Sequence, residues 1–208
     1  MHQTAIEGQC LDDSKSKRQQ ILKAAYDVFS RKGYHRATVD EIIALADTGK
    51  GTVYNYFNNK EQLFYTLIQE RGEPFALALE KIASSNLSPA AKIEDIIRLS
   101  LAFYIENVDL WRVFIHEVRG LSESNQSNFT PEMLERYKNG FQHIAGSVEN
   151  VLSEGVEQGL FHPMNITHVA YSLFSTIMMM VYHKFVDTDM ELTVRNIANL
   201  FFHGIMRQ

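Results

Sequence analysis

The clearest chemical potential in the chain lies at Gly49-Lys50-Gly51-Thr52. Glycines, an ammonium and a hydroxyl are groups that hold phosphate. A nucleotide cradle needs G-x-x-x-x-G-K-[ST] placed between a strand and a helix. Here Ala44 stands where the first glycine belongs and Gly51 stands where a hydroxyl should follow the lysine. The segment before the loop reads as helix, not strand. The residue order therefore argues against a nucleotide and leaves open whether the loop meets phosphate in another form.

The elements around the loop point to the backbone of duplex DNA. Thr38 and Glu41 form a capping box that opens a short helix, with Ile42, Ile43, Leu45 and Ala46 as its apolar side. Asp47-Thr48-Gly49 interrupts that helix, and a second short helix follows over about 51–57. Two short helices separated by a tight turn have the helix-turn-helix spacing, in which the second helix enters the major groove. If Val53 and Phe57 face inward at i and i+4, then Lys50, Thr52, Asn55 and Tyr56 face outward or sideways. Three helix N-termini, near Thr38, Gly51 and Lys60, would aim backbone N–H groups at phosphate. An earlier helix over about 15–32 carries Ile21, Ala25, Val28 and Phe29 on one face, and Gly33 suits the left-handed position that closes it. Asn59 caps a fourth helix over about 60–84, with Leu63, Phe64, Leu67 and Ile68 on its buried side.

Charge separates this region from the rest. Between Ser14 and Lys60 there are nine basic and four acidic residues, a net +5 inside a chain of −5, so the remainder carries −10. An acidic chain with one basic end can meet a polyanion at that end only.

The stretch "TVDEIIALADTGKGTVYNYFNNKEQLF" resembles the signature of the tetracycline-repressor (TetR) family of bacterial transcriptional regulators. The preceding "ILKAAYDVFSRKGYHRATV" is similar to the family's first helix and its connection. The resemblance covers about residues 15–68. It implies that Thr38, Lys50, Thr52, Tyr54 and Tyr56 contact DNA, that Gly51 opens the recognition helix, and that Lys60 meets a phosphate. Asn55 is the candidate for base readout, since an amide can pair bidentately with adenine. Arg36 is a weaker phosphate or minor-groove candidate, and for Lys17 and Arg18 plain solvation competes with DNA contact. The turn departs from the family pattern: Asp47 replaces a left-handed glycine, Thr48 a buried aliphatic and Gly49 a hydroxyl cap.

The remaining sequence reads as five further helices, over about 89–107, 110–119, 131–157, 166–187 and 190–206, with a polar loop around residues 120–130. The expected fold is all-α with about nine helices. It divides into a flexible tail over 1–13, a helix-turn-helix domain over 14–60, and a ligand-binding and dimerisation domain over 61–208. The boundary falls within the fourth helix, which should join the two parts rigidly.

The helix over 166–187 is apolar nearly all round, which one peripheral helix cannot bury alone. A two-fold dimer would cover the surplus with Tyr171, Phe174, Met178, Val181, Tyr182, Phe185, Ile197, Leu200, Phe201 and Ile205. It would place two recognition helices about 34 Å apart on a palindromic site. Phe103, Trp111, Phe114, Ile115, Tyr137 and Phe141 could line a pocket, with Met178 and Met179 adapting to shape and His116 and Arg119 as polar anchors. That a pocket exists is mainly what the resemblance implies.

No catalytic constellation, cofactor motif or metal-ligand spacing stands out. A single cysteine, Cys10, excludes a disulfide framework and fits a reducing cytoplasm. The longest apolar run, over 169–182, is too short to span a bilayer. The expectation is a cytoplasmic homodimeric repressor that binds double-stranded operator DNA and is released by a small apolar or amphipathic effector. Activation depends on operator placement and stays open. A nucleotide-binding enzyme using the Gly-Lys-Gly loop, and a helical interaction module without a DNA role, are the other classes.

Overall fold

The computed structural model describes residues 3–123 and 130–205, with side chains described over 16–117 and 130–205. Among the described residues there are nine helices: α1 (Gln3–Arg36), α2 (Val39–Leu45), α3 (Lys50–Tyr56), α4 (Lys60–Ala83), α5 (Pro89–Glu106), α6 (Val108–Glu123), α7 (Pro131–Glu157), α8 (Ile166–Tyr182) and α9 (Met190–Ile205). No helix among them is long and apolar enough to cross a membrane.

The chain forms two compact units. The first comprises residues 1–70 and 109–129, the second 71–108 and 130–208. The division falls inside α4, and α6 belongs to the first unit.

In the first unit α1 is helical from Gln3, through the segment whose lack of periodicity suggested a tail. Nothing in residues 3–13 stops a helix: there is no proline, and Gly8 alone does not break the ladder. Gly33 takes φ 75° and ψ 170°, a conformation open to glycine at little cost, and bends α1 into a last helical turn ending at Arg36. The capping box of α2 forms in both directions, Glu41 N–H donating to Thr38 Oγ1 at 3.2 Å and Thr38 N–H donating to Glu41 Oε2 at 3.3 Å. Asn59 caps α4 by accepting from the Gln62 N–H at 2.7 Å. Ile21, Ala25, Phe29, Ile42, Val53, Leu63 and Phe64 are fully buried. Leu45 is turned outward instead of joining the apolar side of α2, which is too short for more than Ile42 and Ala46 to reach the core. Rings close the unit: Phe64 meets Phe29 edge-on at 4.9 Å and Tyr34 at 5.2 Å.

In the second unit α5 packs on α7, α8 and α9. It supplies Ile93, Ile96, Ile97 and Leu101, all buried, against Val148 and Val151 of α7, Leu173 and Ile177 of α8, and Val194 and Ile197 of α9. Buried Lys92 pairs with Glu154 at 2.7 Å, and Arg98 forks onto both carboxylate oxygens of Glu191 at 2.7 and 3.0 Å. Gly155 of α7 lies under the Phe161 ring, where an added Cβ would come within 2.2 Å of ring carbons. The C-terminus of α7 closes at Gly159, φ 73°. α8 ends at Tyr182, short of the expected 187. Lys184 takes φ 60°, and the N–H groups of Lys184 and Phe185 return to the carbonyls of Val181 and Met180. This left-handed closure uses a lysine, so no glycine marks it in the sequence.

Candidate nucleic-acid interface

The helix-turn-helix is built by the second closure of this kind. Asp47 sits at φ 45°, its N–H donates to Ala44 O at 3.3 Å, and the Thr48 N–H reaches back to Ile43 O at 3.3 Å. These two bonds form a Schellman turn with aspartate in the glycine position. A non-glycine residue there is strained by about 1–2 kcal/mol, though aspartate bears it better than most. Asp47→Gly is therefore expected to raise stability by about 0.5–1 kcal/mol, read as a higher denaturant midpoint at unchanged slope. An unchanged or lower midpoint would show that the carboxylate contributes more than the strain costs. Gly49 is the N-cap of α3 with extended backbone and no side-chain bond, as its residue type requires.

α3 divides its side chains cleanly. Val53 and Phe57 are buried. Lys50, Gly51, Tyr54 and Asn55 are exposed, while Thr52 and Tyr56 are half-buried. The expected readout residues thus share the outward side of one short helix. Thr38 is exposed, and its hydroxyl oxygen accepts from the Glu41 backbone N–H while the hydroxyl proton can still donate. Arg36 is exposed and anchors its Nε on Lys32 O at 3.1 Å.

Carboxylates interleave with these cations. Lys50 Nζ lies 3.2 Å from Asp40 Oδ1, both side chains well exposed, and sits 6.0 Å from the Tyr54 ring centroid. Lys32 is bonded to Glu41, whose carboxyl is held below its usual range first by that bond and then by the Thr38 backbone N–H. Arg18 is paired with Glu70 and lies over the Phe57 ring at 5.7 Å. Exposed pairs of this type contribute little, so Lys50 can exchange Asp40 for phosphate at small cost. Charge counting includes Asp40 but does not reveal its pairing with Lys50. That link crosses the turn and leaves no local spacing.

Lys60 takes a different position from a phosphate contact. Its ammonium donates to the carbonyls of Tyr34 at 2.9 Å, Ala37 at 3.2 Å and His35 at 3.4 Å, and lies 4.5 Å from the Tyr34 ring centroid.

The expected pocket residues fall in both units. Phe103, Tyr137, Phe141, Met178 and Met179 belong to the second. There Phe103 stacks on Phe75 at 4.2 Å, and Phe141 meets Tyr171 at 5.0 Å and Phe174 at 5.7 Å. Trp111, Phe114, Ile115, His116 and Arg119 lie on α6 in the first. Trp111 and Phe114 meet edge-on at 5.2 Å. The His116 side chain is 79 % exposed beside Glu117, so it does not serve as an anchor buried in an apolar lining. The Arg119 side chain lies outside the described residues.

The expected dimer residues also separate. Phe174, Val181, Ile197 and Ile205 are buried within their own protomer and so are closed to a partner. Phe185 and Leu200 are 71 % and 66 % exposed, and Tyr171, Met178, Tyr182 and Phe201 are half-buried. A helix apolar all round shows how much must be buried, but not which side meets the helix's own chain.

Among the described residues, one group brings metal-binding atoms together: His35, His116 and Glu117, within 4.8 Å of one another. Linear spacing could not reveal it, because His35 lies on α1 and the others on α6.

Residues 21–67 match the family model described as bacterial regulatory proteins, tetR family, and residues 86–183 match the tetracyclin repressor-like C-terminal domain. The chain is 24 % identical over 168 residues to the fatty acid metabolism regulator protein of Bacillus subtilis, covering 80 % of this chain and 82 % of that one. It is 25 % identical over 178 residues to the transcriptional repressor NicS of Pseudomonas putida, covering 84 % and 80 %. A tetR-family regulatory protein from Rhodococcus RHA1 shares the fold with a TM-score of 0.75 at 21 % identity, covering 90 % of this chain and 95 % of that one. FadR from Bacillus subtilis, in complex with stearoyl-CoA, superposes with a TM-score of 0.71 at 22 % identity, covering 88 % and 96 %. With both family models matched in order along the nine helices of the described residues, and the outward side of α3 presenting Lys50, Tyr54 and Asn55, the chain belongs to the TetR family of bacterial transcriptional regulators.

Proposed function

We propose that the protein is a homodimeric repressor that binds a palindromic operator through Thr38 and the outward residues of α3. A small amphipathic ligand held by the second unit releases it. The observation that carries the DNA half is the side-chain division of α3: Val53 and Phe57 buried, and Lys50, Tyr54 and Asn55 presented together. For the ligand half, the aromatic side chains Phe103, Tyr137 and Phe141 with Met178 and Met179 favour an apolar chain over a purely polar solute. A long-chain acyl-CoA is the first effector to try, since the Bacillus subtilis FadR structure contains stearoyl-CoA. α4 crosses the unit boundary, with Pro74 inside it, and is the element through which a ligand preferring the non-operator state could act. This reading places the protein in the bacterial cytoplasm, on the nucleoid when DNA-bound.

The test is a gel-shift titration against DNA upstream of the protein's own gene, at several salt concentrations. Saturable, sequence-preferring and salt-sensitive binding is expected. Lys50→Ala is expected to reduce the slope of log affinity against log salt by about 0.9, the value for one lost phosphate contact. Sequence-indifferent binding, or none at any promoter tested, would overturn the DNA reading. Binding that no acyl-CoA or other amphipathic ligand weakens would overturn the effector half alone.

A further inference from the structure

The surface of the first unit holds a cluster outside the residues proposed above to contact DNA. Glu117 of α6 carries a carboxylate only 4 % exposed, and two imidazoles converge on it. His35 Nε2, from the last turn of α1, lies 3.0 Å from Oε2. His116 Nδ1 lies 3.5 Å from Oε1. The three ligand atoms fit within 4.8 Å. The imidazole planes are nearly perpendicular, at 83°, with centroids 6.5 Å apart, so the two rings do not stack and each can turn an edge to a shared centre.

We propose that His35, His116 and Glu117 form a binding site for a divalent transition ion of the zinc class. Two neutral nitrogens and one carboxylate are a ligand set zinc accepts, with water in the fourth position. A tetrahedron with bonds of about 2.0–2.1 Å has ligand-to-ligand edges of about 3.3 Å. His35 Nε2 and Glu117 Oε2, 3.0 Å apart, already approach that edge, while His116 Nδ1 is nearest the other carboxylate oxygen, and the set as a whole lies within 4.8 Å. The remaining closure falls to His116, whose 79 % exposed side chain can turn without disturbing packing. Imidazole nitrogen disfavours magnesium and calcium, which take oxygen ligands, and favours zinc, cobalt, nickel and copper. A cation here would add positive charge beside a buried carboxylate that already interacts with the Lys60 ammonium. It would also tie α6 to the end of α1, one turn before Thr38. The proposal is independent of the DNA reading.

The experiment is a cobalt(II) titration of the full-length protein after removal of metal by chelator, followed by visible absorption, with zinc as competitor. Expected are one cobalt per chain, absorption bands of tetrahedral cobalt, and their loss on adding zinc. His35→Ala and His116→Ala remove exposed rings, so both variants should fold, and each should weaken binding by at least about tenfold. Glu117→Gln, which keeps the shape, should do the same. His143→Ala, which removes a ring paired with Glu80 at 2.9 Å outside the cluster, should bind as the parent does. Zinc should raise the thermal midpoint of the parent and not of His35→Ala or His116→Ala. Absence of saturable binding in the parent would overturn the proposal, as would parent-like affinity in both His35→Ala and His116→Ala.

Discussion

Phe64→Ala is expected to destabilise the first unit by about 3–5 kcal/mol, the range for removing a fully buried ring whose surroundings cannot collapse. Phe64 has no exposed surface and stands between two other rings, edge-on to Phe29 at 4.9 Å and to Tyr34 at 5.2 Å. Phe29 and Tyr34 come from α1 and Phe64 from α4, so a void at Phe64 is walled by side chains held on another helix. Phe29 also stacks on Tyr34 at 5.9 Å, and neither ring can move into the space without losing its other contacts. Edge-to-face ring pairs add about 0.5–1.5 kcal/mol beyond area burial. Phe64→Leu keeps most of the volume and should cost under about 1.5 kcal/mol. The difference between the two variants measures the cavity. Trp111, the single tryptophan, lies in the same unit, so its fluorescence reports this transition during urea unfolding. A loss under about 1 kcal/mol for Phe64→Ala would mean that α4 relaxes into the gap and that the ring cluster does not fix the helical frame.

The parts of this molecule that short-range chemistry determines were legible in the sequence. The α2 capping box and the Asn59 cap each depend on residues within a few positions, and each forms as expected. The inward pair Val53 and Phe57 follows from period alone. What was hidden depends on residues far apart. Nothing in the composition of α6 says that it joins the first unit, and so His116 read as a pocket residue and not as a neighbour of His35. Left-handed closures at Asp47 and Lys184 carry no glycine to mark them; the first was legible only because the surrounding motif was known, and the second was not. In α8 and α9 the apolar count was right while the facing was not, since Phe174 and Ile197 are consumed by the protomer's own core.

Lys60→Met is expected to weaken operator binding without changing its salt slope, in contrast to Lys50→Ala. An ammonium has three N–H donors, and all three of Lys60 are directed at the carbonyls of Tyr34, Ala37 and His35. Those carbonyls belong to the final turn of α1 and its link to Thr38, where α1 would otherwise leave acceptors unsatisfied. The charge also lies 4.5 Å from the Tyr34 ring centroid, a cation–π contact. Burial pushes the Lys60 ammonium below its ordinary value, while Glu117 works in the opposite direction. A depressed lysine means that the folded protein binds fewer protons than the unfolded chain, so this group's penalty eases as pH rises toward 10.5. Methionine removes that penalty but also three charge-assisted hydrogen bonds, for a net loss of about 1–3 kcal/mol. With the clasp gone, Thr38 and the start of α2 lose their fixed place, and affinity should fall by a similar factor at every salt concentration. A counterion-release slope reduced by about 0.9 would instead put Lys60 on a phosphate in the complex, with the carbonyl clasp opened by DNA. The paired measurement on Lys50→Ala calibrates that comparison, because Lys50 is held by one exposed carboxylate at 3.2 Å and has donors to spare.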